Sequence, residues 1–242
     1  MKPRGKSVYR IYKTLLAAYG WQGWWPVTPP RGIFPGYKTL VRLSSKQSLE
    51  VAIGAILTQN TSWTNVERAV VNLNRAGFFR RPFDFSVGRI RTMIRPAGHY
   101  NQKAAYVRNF LGAIKKYFGG KTENMSKISV AELRERLLEI NGIGRETADS
   151  IILYAARKPV FVVDAYTLRI ASRAGLIAGK TDYEMARHFF ELHLPRSAKI
   201  FAEYHALLVR HAKEYCGKNN PACKAGCPLL VGGLCSWNGW VG

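Results

Sequence analysis

Apolar residues along this chain recur mostly at intervals of three and four, the spacing that turns one side of a helix toward a core. From 48 to 57, Leu49, Ile53 and Ile56 share a face, and Ser48 is placed to cap it. The pattern continues over 66–73 and is clearest over 102–118. Ser129 precedes a predicted helix at 130–137, and further helices are predicted at 147–156, 163–174, 183–194 and 198–215. Strand-type alternation is scarce. Val160, Phe161, Val162 and Val163 form the one tempting run, which reads as a short apolar linker between helices. Proline and glycine make 25–36 a loop, and no segment repeats at a fixed period. The predicted fold class is all-α.

Composition adds a partner. Hydrophobic residues are 47% of 242, enough for a packed core at this length. The net charge of +22 makes a polyanion the expected partner, nucleic acid ahead of a membrane surface. Lysine and arginine recur from Lys2 to Lys224 without a polybasic tail, which suits a folded binding face. Aromatics are 12%, with six tryptophans that can stack on bases. No apolar run approaches the ~18 residues of a membrane span. The basic start is followed, after Lys13, only by the short apolar run from Leu15 to Ala18, which is too brief for a leader. The expectation is a soluble, monomeric, cytoplasmic protein, nucleoid-associated in a prokaryotic host.

The four cysteines are Cys216, Cys223, Cys227 and Cys235, spaced C-x6-C-x3-C-x7-C. Disulfides are not expected in an intracellular chain. Four thiolates can surround one metal centre; an iron–sulfur cubane and a zinc ion both accept them, and spacing alone does not choose. Gly217, Pro221, Gly232 and Gly233 supply turns for wrapping such a centre. Lys213, Lys218 and Lys224 around it point to an anion facing the site.

From Leu138 to Arg145 the chain joins two helical patterns. Gly142 and Gly144 flank Ile143, which is placed to plug the hairpin into the core. Glycine permits positive φ and close backbone approach. A helix beginning near Arg145 points free amides outward, so the segment reads as a phosphate grip on one DNA strand without sequence preference.

These residues, followed by Val162, Val163, Asp164, Ala165 and Tyr166, resemble the helix-hairpin-helix DNA glycosylases. The cysteines resemble the [4Fe-4S] loop of the endonuclease III branch, as do the stretches Leu57 to Thr61 and Gly98 to Ala104. The resemblance covers roughly 48–236. It implies two helical lobes, one at 45–155 carrying the hairpin, and one made of 1–44 with 156–242 carrying the cluster loop. Two cysteine loops are longer than the branch's usual C-x6-C-x2-C-x5-C. Glu146 stands where bifunctional members carry the Schiff-base lysine, so the lyase nucleophile is missing. Trp24, Trp25 and Pro26, Trp63, the run Tyr100 to Lys103, and Gly144 to Asp149 are similar to the endonuclease III-like 3-methyladenine DNA glycosylases, which also carry glutamate at the place of Glu146.

The resemblance implies roles for individual residues. Asp164 is the catalytic carboxylate. Trp25 and Trp63 sandwich the flipped base, with Glu146 beside the pocket. Gln59 fills the vacated stack and His99 wedges the opposite strand. Asn101 and Lys103 anchor that loop on the DNA side, and Gly142, Ile143, Gly144 and Arg145 hold the backbone. Cys216, Cys223, Cys227 and Cys235 hold a [4Fe-4S] cluster, with zinc as the alternative occupant. The implied partner is duplex DNA containing damaged bases. The implied activity is monofunctional release of alkylated purines such as 3-methyladenine and 7-methylguanine. The alternatives are a uracil or thymine mismatch glycosylase, a glycosylase/lyase, and a DNA-binding module without catalysis.

Overall fold

The computed structural model describes residues 4–37, 42–223 and 226–235. Lys224 therefore lies outside the described residues. Among those described, ordered backbone is helical, and strand-like pairing is confined to one isolated bridge between Val27 and Gly36, as the all-α reading expects. None of the described helices is long and apolar enough to cross a membrane. The chain divides into two compact units: a central one of 23–158, and a terminal one of 1–22 with 159–242.

In the central unit, α2 (Ser45–Leu57) is buried from Gln47 onward. It begins one turn before the expected Ser48, because Ser44 and Gln47 form a reciprocal capping box. Ser48 is instead inside the helix, where its hydroxyl donates to the Ala155 carbonyl at 3.1 Å. Glu50 is also buried, which raises its pKa, and it accepts from the Thr28 amide at 2.7 Å and from Asn74 at 3.2 Å. Gln47 in turn donates to the Thr28 carbonyl at 3.1 Å. These bonds tie the loop after Gly23 to α2, so that loop groups with the central unit rather than with the terminal one.

Helices α3 (Trp63–Arg75), α4 (Val87–Met93) and α5 (Tyr100–Phe118) follow. Thr122, just past α5, bonds the Ser45 carbonyl at the start of α2, and Lys103, near the start of α5, bonds Leu57 at the end of α2. The two helices therefore run antiparallel. Ser129 caps α6 (Val130–Leu138), accepting from the Glu132 amide at 3.1 Å. Beyond the hairpin, α7 (Arg145–Ser150) starts at Arg145, where the hairpin reading puts it and two residues before the 147 of the periodic pattern, and widens into a π turn over Ile151–Ala155. There the Ala156 amide reaches Ile151, five residues back.

The terminal unit contains α1 (Arg4–Tyr19), α8 (Ala165–Arg173), α9 (Tyr183–Leu192), α10 (Ala198–Glu214) and α11 (Pro228–Val231). The start of the chain, for which the sequence predicts no element, is an amphipathic helix. Val8, Ile11, Tyr12 and Leu15 are buried at helical spacing, and the Tyr204 hydroxyl donates to the Val8 carbonyl at 3.0 Å. Burying each of the three aliphatic side chains stabilises by about 1.5–3 kcal/mol. The run from Val160 to Val163 is a buried, non-helical linker, with Phe161 stacked on Phe190 at 4.4 Å.

Candidate active site and nucleic-acid interface

The hairpin between α6 and α7 is held from several sides. Ile143 is buried and its amide donates to Ile140 at 3.0 Å. Gly142 adopts φ +97°, and a Cβ there would stand 2.0 Å from Cδ1 of Tyr106. Gly144 has φ −87° and opens onto free space. Asn109 donates to the Asn141 carbonyl at 3.1 Å. Behind the hairpin, fully buried Asp149 accepts two bonds from Arg134, at 2.8 and 3.2 Å. That doubly bonded pair braces the hairpin against α6. Arg145 and Glu146 are exposed in the first turn of α7.

Gln59 lies just beyond α2, and its amide donates to the Gly142 carbonyl at 2.9 Å and to the Thr147 hydroxyl at 3.0 Å. It is docked on the hairpin. His99 is exposed with φ +43°, directly before α5, and Asn101 is exposed in the first turn. Lys103 corrects the sequence reading. It is 2% exposed, and its ammonium donates to the carbonyls of Leu57 at 2.9 Å and Ala97 at 2.8 Å. A side chain so placed cannot reach a phosphate. Burial pushes its pKa down to about 8.

The aromatic candidates gather in the central unit. Trp25, 9% exposed, lies against Trp63 (5.6 Å), Trp24 (5.2 Å) and Tyr154 (5.3 Å). It also covers Gly54, where a Cβ would meet the indole at 3.1 Å. Trp24 is half-buried and stands edge-on to Trp63 at 5.1 Å, with Tyr37 at 5.9 Å. The expected sandwich needs correction. The planes of Trp25 and Trp63 meet at 87°, an edge-to-face contact with no parallel slot between them for a base. The more accessible pair is Trp24 with Trp63, and the family resemblance assigns Trp24 no base-binding role. The indole N–H of Trp63 is buried without a hydrogen-bond partner among the described residues.

In the terminal unit, Asp164 is the N-cap of α8. Its Oδ1 accepts the Thr167 amide at 2.7 Å, and its Oδ2 lies 3.4 Å from Nε2 of His205. The carboxylate is 12% exposed. Burial pulls its pKa upward, but His205 and the Thr167 amide outweigh it, holding the group below the usual carboxylate range and therefore ionised. His205 escaped the sequence reading. It is one of five histidines, 41 residues from Asp164, and nothing local marks it.

The cysteine loop is also in the terminal unit. Cys216 and Cys227 are buried, Cys223 and Cys235 half-buried. Arg173 donates to the Cys216 sulfur at 3.1 Å and to the carbonyls of Gly217 and Lys218 at 2.8 and 3.1 Å. The Cys235 thiol donates back to the Arg173 carbonyl at 3.4 Å, and Arg169 holds the Cys216 carbonyl at 2.7 Å. His211 is buried, which pushes its pKa down to about 4 and keeps it neutral. Its Nδ1 is 2.8 Å from the Tyr19 hydroxyl and its Nε2 is 3.7 Å from the Cys227 sulfur. Cys223 has its pKa raised by burial and then by the other three thiols. Among the described residues no three His, Cys, Asp or Glu side chains form a ready-made single-ion site. The donor set, four thiols with an arginine N–H aimed at one sulfur, fits a thiolate-bound metal centre. Lys213 and Lys218 are exposed nearby in sequence.

Residues 53–195 match the profile of the HhH-GPD superfamily base excision DNA repair proteins. The chain belongs to this family. A relative in Methanocaldococcus jannaschii, which bears the name of a DNA repair glycosylase, is 43% identical over 93% of this chain and 94% of its own. Endonuclease III of Thermotoga maritima is 26% identical over 72% of this chain and 77% of its own. Among solved structures, the Helicobacter pylori 3-methyladenine DNA glycosylase bound to 1,N6-ethenoadenine superposes with a TM-score of 0.67. It is 27% identical, and the match covers 86% of this chain and 97% of that one. A non-covalent endonuclease III–DNA complex superposes at 0.70, with 18% identity and coverage of 98% and 96%, and shares the fold.

This HhH-GPD protein is thus a base excision repair glycosylase, acting on N-glycosyl bonds with DNA as its partner. Its structure brings Gln59 onto the hairpin residues Gly142 and Thr147, and gathers Trp24, Trp25 and Trp63. It leaves His99, Asn101, Arg145 and Glu146 exposed, and takes Lys103 off the surface.

Proposed function

We propose that this HhH-GPD protein is a monofunctional glycosylase for alkylated purines in duplex DNA. The observation that carries the substrate reading is the indole cluster of Trp24, Trp25 and Trp63. A purine alkylated at N3 or N7 carries positive charge, and indole faces attract such a ring by about 0.5–2 kcal/mol per contact. Trp24 stands edge-on to Trp63, so admission of a base means rotating Trp24 until two faces lie parallel. The unpaired N–H of Trp63 is then available to an acceptor on the lesion. The similarity to the H. pylori 3-methyladenine glycosylase, at 27% identity, supports the same substrate class.

The hairpin amides and Arg145 grip one strand, His99 enters the opposite strand, and Gln59 leaves Gly142 to fill the vacated stack. At the extruded nucleotide the C1′–N bond breaks, and its electron pair leaves with the base, cancelling the ring's charge. Ionised Asp164 stabilises the oxocarbenium-like sugar. The oxygen of a water molecule then bonds to C1′ and the water gives up a proton, leaving an abasic site. Glu146, a carboxylate, offers no amine for a Schiff base, so strand cleavage does not follow. Cys216, Cys223, Cys227 and Cys235 would hold a [4Fe-4S] cluster, zinc being the alternative, and the bound group would cross-link the end of the terminal unit. The protein works as a cytoplasmic monomer on damaged duplex.

The test is base release from methylated genomic DNA, compared with duplexes carrying uracil, T·G or oxidised pyrimidines. The expected result is free 3-methyladenine or 7-methylguanine without strand cleavage. Release of uracil or thymine alone overturns the substrate reading. Borohydride trapping on an abasic duplex overturns the monofunctional one.

A further inference from the structure

A lysine buried without a carboxylate is costly unless something else needs its charge. The two groups Lys103 binds are both ends. Leu57 is the last residue of α2, and Ala97 is the last residue of the 3-10 turn Arg95–Ala97. The closing carbonyls of such segments lack partners within them and carry partial negative charge. One ammonium serves both, at 2.9 and 2.8 Å. The position of the two ends matters. Gln59 is two residues beyond Leu57, and His99 is two residues beyond Ala97. In both segments the chain turns sharply after the tethered carbonyl, with Asn60 at φ +51°, Gly98 at φ +68° and His99 at φ +43°.

We infer that Lys103 is a positioning residue that sets the spacing between the two DNA-probing side chains, Gln59 and His99, by binding the carbonyls behind both. The inference rests on the reading of Gln59 as the plug and His99 as the wedge. Lys103 touches neither DNA nor the reacting atoms. Its ammonium holds the two loops in one register, so that one side chain fills the gap while the other opens the facing strand.

The experiment uses the full chain and a duplex with 2-aminopurine opposite a tetrahydrofuran site, whose fluorescence reports unstacking. Binding to an undamaged duplex is measured alongside. Gln59→Ala and His99→Ala should each lower the fluorescence gain; if either does not, the reading of the two loops fails and the inference falls with it. If both do, Lys103→Met should lower the gain about tenfold or more, since a displacement of about 1 Å in a working site has effects of that size. Undamaged-duplex affinity should stay within about twofold, because the hairpin is untouched. A Lys103→Met protein that is folded and unstacks the probe like the unaltered protein overturns the inference. Should that variant not fold, Lys103→Arg keeps the charge but moves the donors outward. It should melt close to the unaltered protein with a fluorescence gain roughly threefold lower. An unchanged gain in Lys103→Arg overturns the inference as well.

Discussion

Alanine at Gly142 would put a methyl group 2.0 Å from Cδ1 and 2.2 Å from Cγ of Tyr106, on a backbone at φ +97°. Two costs follow. An L-residue in that left-handed region loses about 1–2 kcal/mol. Forcing the Tyr106 ring aside costs about 1–3 kcal/mol more, as overpacking does elsewhere. Together these remove about 2–5 kcal/mol from a fold whose whole stability is about 5–15 kcal/mol. For a chain of this size the melting temperature should fall by roughly 4–20 °C. Gly144 is the internal control. Its φ of −87° suits any residue and nothing lies within 4 Å of its would-be Cβ. Gly144→Ala should cost only about 0.5–1 kcal/mol, the handicap of alanine at a helix N-cap. Its Cβ faces the proposed phosphate, so duplex affinity should fall while melting hardly moves. Adding Tyr106→Ala to Gly142→Ala should recover the clash component and leave the backbone one. Thermal melting and fluorescence anisotropy on duplex DNA read both quantities. Equal melting temperatures for Gly142→Ala and Gly144→Ala would falsify the reasoning.

Trp25→Ala opens a cavity in the central unit and should cost about 3–5 kcal/mol, whereas Trp24→Ala, which removes half-buried ring contacts, should lower melting less and cut lesion release more; the reverse pattern would return Trp24 to plain packing. Asp164→Asn should abolish base release while duplex binding survives, and loss of binding instead would mark Asp164 as a structural cap only. Because the folded pKa of Asp164 lies below its ordinary 3.8, its contribution to stability is full above that value and is lost as pH falls through the lower folded one. Single-turnover release should therefore show no titration of the Asp164 carboxylate between pH 5 and pH 8, and a limb in that range that Asp164→Asn removes would refute the reading. Arg173→Ala removes the N–H on Cys216 and two carbonyl tethers of the loop. With the proposed centre loaded, that variant should lose its metal to a chelator faster, followed by elemental analysis, and an unchanged loss rate would show that Arg173 does not support the site. Cys216→Ser should lower the melting temperature and the metal content together.

What could be read from the sequence is what local chemistry dictates. The three-and-four spacing of Leu49, Ile53 and Ile56 predicts a buried helix wherever the chain then goes. The glycines around Ile143, the carboxylate at Glu146, and four cysteines within twenty residues state their chemistry without a partner in view. Even there, boundaries slipped: α2 starts at the Ser44–Gln47 capping box, because Ser48 has a tertiary partner in the Ala155 carbonyl. Contacts between distant residues were invisible. His205 meets Asp164 across 41 positions, and Trp25 meets Trp63 edge-on rather than in parallel. Lys103 illustrates the difference most clearly. The family resemblance places it with Asn101 in the anchoring of a loop on the DNA side. Only the folded chain shows two helix-end carbonyls converging on it and sealing it from water. A sequence states which groups carry charge, but the direction in which that charge is spent depends on which unsatisfied backbone ends the fold brings within 3 Å of it.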